Sequence, residues 1–209
     1  MGRNLDSQCK KCRRSREKLY LKGARCFTAK CAIEKRNTPP GPPSSITRKL
    51  SEYGLRLREK QKLRFFYGVS EGQMRNYFKL AIRRTGVTAH NLLEIFESRL
   101  DNVLYRAKLA RSRKEARQLI RHGFFTVNDQ LVDIPSYILK QGDRVMIYKK
   151  MQEDFDKNYE KIDGFDMPTW LAREGDDKMV RMQASPTREE ISIPINEQYI
   201  VEYYSRMIK

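Results

Sequence analysis

The chain has 209 residues and a formal net charge of +17, and charged residues make up 33% of it. Self-repulsion at this imbalance opposes a compact state unless a polyanion neutralises it, so the composition favours a nucleic-acid-binding protein. No run approaches the roughly 18 apolar residues of a membrane span, and the first residues lack the apolar core of a signal peptide. We therefore expect a cytoplasmic protein with no membrane partner.

The charge is unevenly distributed along the chain. Residues 1–66 contain 19 Lys/Arg against 5 Asp/Glu, residues 67–150 contain 16 against 8, and residues 151–209 contain 8 against 13. This gradient predicts a basic face formed by the first two thirds, with the acidic last third turned away from the polyanion. The alternative is a well-solvated surface that is merely basic.

The N-terminal segment carries all four cysteines, namely Cys9, Cys12, Cys26 and Cys31. A reducing compartment makes a disulfide framework unexpected. Two cysteine pairs, one with two and the other with four intervening residues, are separated by thirteen residues, and this spacing suits a tetrahedral thiolate site. We expect one zinc ion there, contributing on the order of 10 kcal/mol to the folding of a segment with almost no core. Basic neighbours, including Arg13, Arg14 and Lys22, would lower the thiolate pKa values and then face RNA. The alternative is four unconnected thiols.

A helical region follows a Pro-rich arm, TPPGPPSSIT, that forbids regular structure. The apolar spacing predicts one helix from Ser51 that stops at Gly68 and a second from Ser70 to Arg84. At the other end of the chain, Asn196 can cap a helix expected to pack on the helices before residue 97. The apolar stripe of that helix consists of Ile200, Tyr203, Tyr204 and Met207.

The middle of the chain changes from a helical period to a period of two. One helix is predicted from about His90 to Ala107, and another begins at Ser112, where a capping-box pattern with Glu115 occurs. The run FTVNDQLVD then predicts a hairpin that turns at residues 128–129, and RVMIYKK predicts a further strand. A charged helix over residues 151–163 and a short strand near residues 179–182 complete the expected elements.

The helix that begins at Ser112 carries a stripe of arginines. At about 100° per residue, Arg113, Arg117 and Arg121 fall on one face, opposite an apolar face. Guanidinium groups in such a row suit phosphate oxygens. Arg99 and Arg106 form a second stripe on the preceding helix. The alternative is that these arginines pair with acidic residues of their own helices, which are Glu94, Glu97, Asp101 and Glu115.

Several runs resemble one known family. ESRLDNVLYR, SRKEARQLIRHG and LVDIPSY resemble the RNA-binding module named after the bacterial ribosomal protein S-four family, and REKQKLRFFYGVSEGQMRNYF and PINEQYIVEYYSR resemble the same family outside the module. The resemblance implies an α+β fold with three parts. These are a zinc-binding basic segment and arm (1–45), a helical domain (46–97) completed by 196–209, and an inserted RNA-binding module (98–195, core 98–150) with an acidic extension.

The resemblance also implies a function and a set of contacts. It implies a primary binder of small-subunit ribosomal RNA that nucleates assembly of the subunit body, lines the mRNA entry region and influences translational accuracy. Its protein neighbours would include ribosomal protein S-five. Arg48 and Lys49 would lie near the entry channel. The implied RNA contacts of the module are Arg99, Arg106, Ser112, Arg113, Arg117, Gln118, Arg121 and His122.

The sequence disfavours two other functions. An RNA-modifying enzyme would need a further catalytic domain, which the residues after Lys150 do not supply, and the two histidines, His90 and His122, have no triad-like neighbours. A zinc-finger regulator of DNA would need a dimerisation seam or paired half-site geometry, and neither is evident. We therefore expect no enzymatic activity and no DNA partner.

Overall fold

In the computed structural model, the described residues are 6–42, 50–158, 165–175, 178–191 and 193–207. Arg48 and Lys49 lie outside these ranges, as does the second half of the helix expected over residues 151–163. The chain divides into two compact units, one formed by Met1–Leu92 with Ile193–Lys209 and the other by Leu93–Ser192. The C-terminal helix thus belongs to the unit that contains the N-terminus.

Helices and strands of the described residues confirm the α+β class. The helices are α1 (Gln8–Ser15), α2 (Ala32–Lys35), α3 (Glu52–Tyr67), α4 (Glu71–Arg83), α5 (Thr88–Glu97), α6 (Leu100–Arg106), α7 (Arg113–Arg121), α8 (Gln152–Asn158) and α9 (Glu197–Ser205). The strands are β1 (Phe125–Val127), β2 (Gln130–Leu131), β3 (Arg144–Ile147), β4 (Leu171–Glu174) and β5 (Met179–Met182). No helix within the described ranges combines the length and the apolar character that crossing a membrane requires.

Helices α3 and α4 of the first unit begin and end where their local signals predict. The Ser51 side chain accepts a hydrogen bond from the amide of Gly54, and α3 ends at Gly68, whose φ of 61° is the left-handed conformation that glycine tolerates best. Helix α4 begins with a complete capping box between Ser70 and Gln73. Both predictions are confirmed.

Helix α9 packs against α3, as the sequence predicted. Its cap is the Asn196 side chain, which accepts from the amide of Gln198. Ile200 and the two following tyrosines are buried, and the Tyr204 ring lies 4.9 Å from that of Phe78. The expected fourth member of the stripe, Met207, is instead 51% exposed, so the buried stripe ends one turn earlier than predicted.

The second unit contains an antiparallel sheet with the strand order β2-β1-β3-β5-β4. The turn between β1 and β2 places Asn128 and Asp129 at φ values of 49° and 66°, as a type I′ hairpin turn requires. One face of the sheet covers the core of the unit, in which Phe125, Val180 and Trp170 are buried.

The prediction of a single helix from His90 to Ala107 is wrong. Helix α5 ends at Glu97 and α6 begins at Leu100, because Arg99 is extended (φ −69°, ψ 137°) and bridges to Ile138. The backbone amides of this break find partners outside the helices. The Leu100 amide donates to the Tyr137 carbonyl at 2.8 Å, and the Leu139 amide donates to the Ser98 carbonyl at 2.8 Å. Tertiary hydrogen bonds thus replace the helical ones that the apolar periodicity implied.

Candidate nucleic-acid interface

Helix α7 begins at a half-formed capping box. The Ser112 hydroxyl accepts from the Glu115 amide at 3.2 Å, as predicted. The Glu115 carboxylate, however, accepts from the backbone amide and the guanidinium of Arg111 rather than from the Ser112 amide. The cap still fixes the start of the helix and therefore the direction of every side chain on it.

The prediction that Arg113 lies on an exposed arginine stripe is wrong. Its side chain is only 6% exposed, its Nε donates to the Asn102 side-chain oxygen at 2.7 Å, and its guanidinium carbon lies 4.4 Å from the Tyr105 ring centre. On the helical wheel Arg113 lies only about 20° from the buried Ile120. It is therefore covered where α7 meets α6.

Two acidic residues, Glu97 at the end of α5 and Asp101 on α6, accept hydrogen bonds from Arg99, Arg106 and Arg117. The Glu97 carboxylate accepts from Arg106 Nε at 3.0 Å and Nη2 at 2.9 Å, and the Asn102 side-chain amide donates to the same carboxylate at 2.6 Å. The Asp101 carboxylate accepts from Arg99 at 3.0 and 2.8 Å and from Arg117 Nε at 2.6 Å. We call this set the charged network: Glu97, Arg99, Asp101, Asn102, Arg106, Arg113 and Arg117.

The charged network changes the interpretation of both arginine stripes. Glu97 and Asp101 are buried, as are Arg99 and Arg106, while Arg117 keeps 28% of its side chain exposed. The alternative that these arginines pair with acids of their own helices describes Arg99 and Arg106, whose partners Asp101 and Glu97 lie in the same predicted helix. Arg117 instead pairs with Asp101 of a different helix. Since Arg113 and Arg117 bond to residues of α6, the network fixes the two helices relative to each other.

The Asp101 carboxyl has a pKa below its ordinary value. Burial alone would raise this pKa, but the guanidiniums of Arg99 and Arg117 outweigh it and favour the charged form. Removing the Asp101 carboxylate would take from the buried Arg99 guanidinium the negative charge that it is paired with, which is the costly case for a buried ion pair. The network is therefore a positioning device that tolerates little change.

A pH dependence of stability follows from the lowered pKa of Asp101. A carboxyl whose pKa falls on folding stabilises the folded state fully above its unfolded value of about 3.9, and this stabilisation is lost as the pH falls through the folded value. We expect the free energy of unfolding of the second unit to decrease below about pH 4. Urea titrations that follow the fluorescence of Trp170, the single tryptophan, measure it. The Asp101→Asn variant should show a shallower acid dependence, and an identical dependence would contradict the assignment.

Helix α7 still presents a polar surface to solvent. Of the residues predicted to contact RNA, Gln118, Arg121 and His122 are exposed, whereas Ser112 is half-buried. Two exposed cations next to them, Arg111 and Lys114, were missed by the sequence-based prediction. The helical wheel could have predicted the exposure of Lys114, because its angular position on the wheel lies between those of residues 117 and 118. We call the exposed set the outer face of α7: Lys114, Gln118, Arg121 and His122.

In the N-terminal segment, the basic residues play different roles. Arg14 and Lys22 are exposed. Arg13 instead donates to the carbonyls of Thr38 at 2.8 Å and Pro39 at 3.2 Å, so it fastens the start of the Pro-rich arm to α1.

The four thiols line one small pocket of about 20 Å³. Three of them are buried, and the amide of Lys22 donates to the Cys26 sulfur at 3.3 Å. Burial raises the pKa of the Cys12 thiol to about 11, with the neighbouring thiols adding to the rise and a backbone hydrogen bond from Leu19 opposing it. Among the described residues, no group of three or more His, Cys, Asp or Glu side chains is arranged as a metal centre. What fits a soft metal here is the donor chemistry and the shared pocket.

Comparisons with known proteins agree over the whole chain. A family profile described as "Ribosomal protein S4/S9 N-terminal domain" matches residues 3–97, and one described as "S4 domain" matches residues 98–145. The chain is 51% identical to the small ribosomal subunit protein uS4 of Acetivibrio thermocellus, with 99% of this chain and 100% of that protein covered. It is 50% identical, with the same coverage, to uS4A of Alkaliphilus metalliredigens.

Proposed function

We propose, from the premise that this chain belongs to the ribosomal protein S4 family, that it is a structural constituent of the small ribosomal subunit in the cytoplasm and binds small-subunit ribosomal RNA. The observation that carries the proposal is the whole-length similarity to uS4 proteins. An RNA-modifying enzyme is not supported, because members of this family are structural RNA-binding proteins.

The outer face of α7 supplies the RNA contacts of the second unit in this proposal. Arg121 and Lys114 would bind phosphates, which position the RNA without reading its sequence, and Gln118 and His122 would add hydrogen bonds. The buried arginines would act through the charged network by holding α7 in place. Arg117 would act in both ways, since its Nε bonds to Asp101 while 28% of its side chain is exposed to an RNA ligand.

Changing Arg121 to alanine tests the proposed phosphate contact. We expect weaker binding to small-subunit ribosomal RNA and a slope of log K against log salt that is smaller by about 0.7–0.9, because one phosphate contact is lost. Filter-binding or fluorescence titrations at several salt concentrations measure both quantities.

Lys157→Ala is the matched control for this experiment, since Lys157 is an exposed cation on α8, among the acidic residues Glu153, Asp154 and Asp156. It should change neither affinity nor slope. Equal effects of the two variants would refute a specific role of the outer face, and a preference for duplex DNA at matched salt would refute the RNA assignment.

We further propose the finer roles that the family resemblance implies. These are the nucleation of subunit assembly, contact with ribosomal protein S-five, and contact of Arg48 and Lys49 with mRNA near the entry channel. Strong basicity of residues 1–66 supports contacts of the N-terminal part with RNA, and Arg14 and Lys22 are exposed for this purpose.

One zinc ion bound by Cys9, Cys12, Cys26 and Cys31 is also proposed. Four thiols in one pocket give the soft donor set that zinc prefers, and the Lys22 amide that donates to the Cys26 sulfur would stabilise a thiolate there. The ion would act structurally, since a small segment with few buried side chains needs such support.

A further inference from the structure

A pocket of about 200 Å³ opens beside α7, next to its outer face. Its apolar wall includes Leu119, Phe124 and Phe155, and its polar lining includes Gln118, His122 and Asp154. Gln118 and His122 belong to both the pocket and the outer face. A ligand in the pocket would therefore continue into the proposed phosphate-binding surface.

The size and walls of the pocket suit one planar ring. Pockets for drug-sized ligands usually enclose roughly 300–1,000 Å³, so this one is small. Aromatic and aliphatic walls take the face of a ring, and single-stranded RNA is commonly bound through unstacked bases that lie against aromatic side chains. Phe124, which is half-buried, offers such a surface, whereas Phe155 lines the pocket but is only 4% exposed.

The polar lining decides which part of a nucleotide enters. Two carboxylates, Asp154 and Glu115, and one guanidinium, that of Arg111, line the pocket, and Glu115 is paired with Arg111 at 2.7 Å. The remaining negative charge disfavours a phosphate inside the pocket, whereas a carboxylate such as that of Asp154 accepts hydrogen bonds from exocyclic amino groups such as that of cytosine. A carboxylate has about four acceptor sites, so it can accept such a bond in addition to its other contacts. The phosphate would lie outside, toward Arg121 and Lys114.

We propose that this pocket receives a single unstacked base of the RNA, with preference for bases that carry an exocyclic amino group over uracil. The inference rests on the proposed function, because it takes RNA as the ligand. It adds a base-binding site to a surface whose other contacts are to the backbone.

The Gln118→Phe variant tests the pocket in the full-length chain. Gln118 is exposed, so the new ring can cover the pocket mouth without disturbing the core. We expect binding to small-subunit ribosomal RNA to be at least about fivefold weaker than in Gln118→Ala, which removes the same hydrogen bond but leaves the pocket open. A loss of about fivefold is the lower end of what one stacked base contributes. The salt slope should stay unchanged because no phosphate contact is removed. Arg121→Ala should show the opposite pattern, with a smaller slope.

Nuclear magnetic resonance titrations with single nucleotides supply the second measurement. Cytidine monophosphate should shift the amide signals of Leu119, His122 and Phe124 in the wild type and not in Gln118→Phe, and uridine monophosphate should shift them less. Unchanged RNA affinity of Gln118→Phe, or shifts confined to Lys114 and Arg121, would overturn the base pocket. Equal shifts with the two nucleotides would overturn the base preference. Failure of the wild type to bind ribosomal RNA would instead overturn the proposed function.

Discussion

Replacing Asp101 with asparagine should lower the free energy of unfolding of the second unit by about 3–5 kcal/mol. The change keeps the shape of the side chain but removes the negative charge that Arg99 and Arg117 share. Arg99 is buried and cannot turn to water, so it would lose the carboxylate charge 2.8 Å away that offsets its burial. Urea unfolding followed by Trp170 fluorescence measures the loss, because Trp170 lies in the core of this unit.

A matched control for Asp101→Asn is Glu115→Gln on α7. Glu115 pairs with Arg111 at 2.7 Å, but the Arg111 side chain is 47% exposed. Ion pairs of this kind contribute about 0–1 kcal/mol. If both variants lost the same small amount of stability, the charged network would not be the element that holds α6 and α7 together.

Removing the proposed zinc ion from the N-terminal segment should change the stability of that segment more than any substitution described above changes stability. We expect purified protein to contain close to one zinc ion per chain and a chelator to unfold the segment, since structural zinc sites contribute on the order of 10 kcal/mol. Elemental analysis gives the stoichiometry. Reaction of the thiols with a thiol-specific reagent, slow before chelation and fast after it, reports the release of the four side chains.

The Cys12→Ser variant provides the control for the zinc experiment. It should already have reactive thiols, and a chelator should change them no further. The Trp170 unfolding transition serves as a reference for the second unit in the same sample. A zinc content well below one per chain in protein purified without chelator would contradict the proposal.

Local signals in the sequence predicted the elements whose ends depend on neighbouring residues. The Ser51 cap, the Gly68 stop and the Ser70 capping box each act within about four residues, so a single chain segment contains all the information. The turn at Asn128 and Asp129 is equally local. The strands on either side of this turn could therefore be predicted from the alternation of apolar and polar residues.

Two features, the helix break at Arg99 and the burial of Arg113, could not be predicted from the sequence because they depend on interactions between distant segments. The break at Arg99 depends on carbonyls of the loop before β3, and the burial of Arg113 depends on Asn102 and Tyr105 of another helix. A helical wheel ranks Arg113 with Arg117 and Arg121 because it contains only one helix. It did place Arg121 on the exposed side of the helix, whereas the exposed Gln118 was predicted only from the family resemblance.

The division of the chain into units has a consequence for its synthesis. The second unit is continuous in sequence, so all of its residues are synthesised before α9. The first unit begins earlier but needs Tyr204 of α9 to cover Phe78, so its core cannot close until α9 has been made. Because domains generally fold as their residues emerge, the order of folding is the reverse of the order in which the two units start.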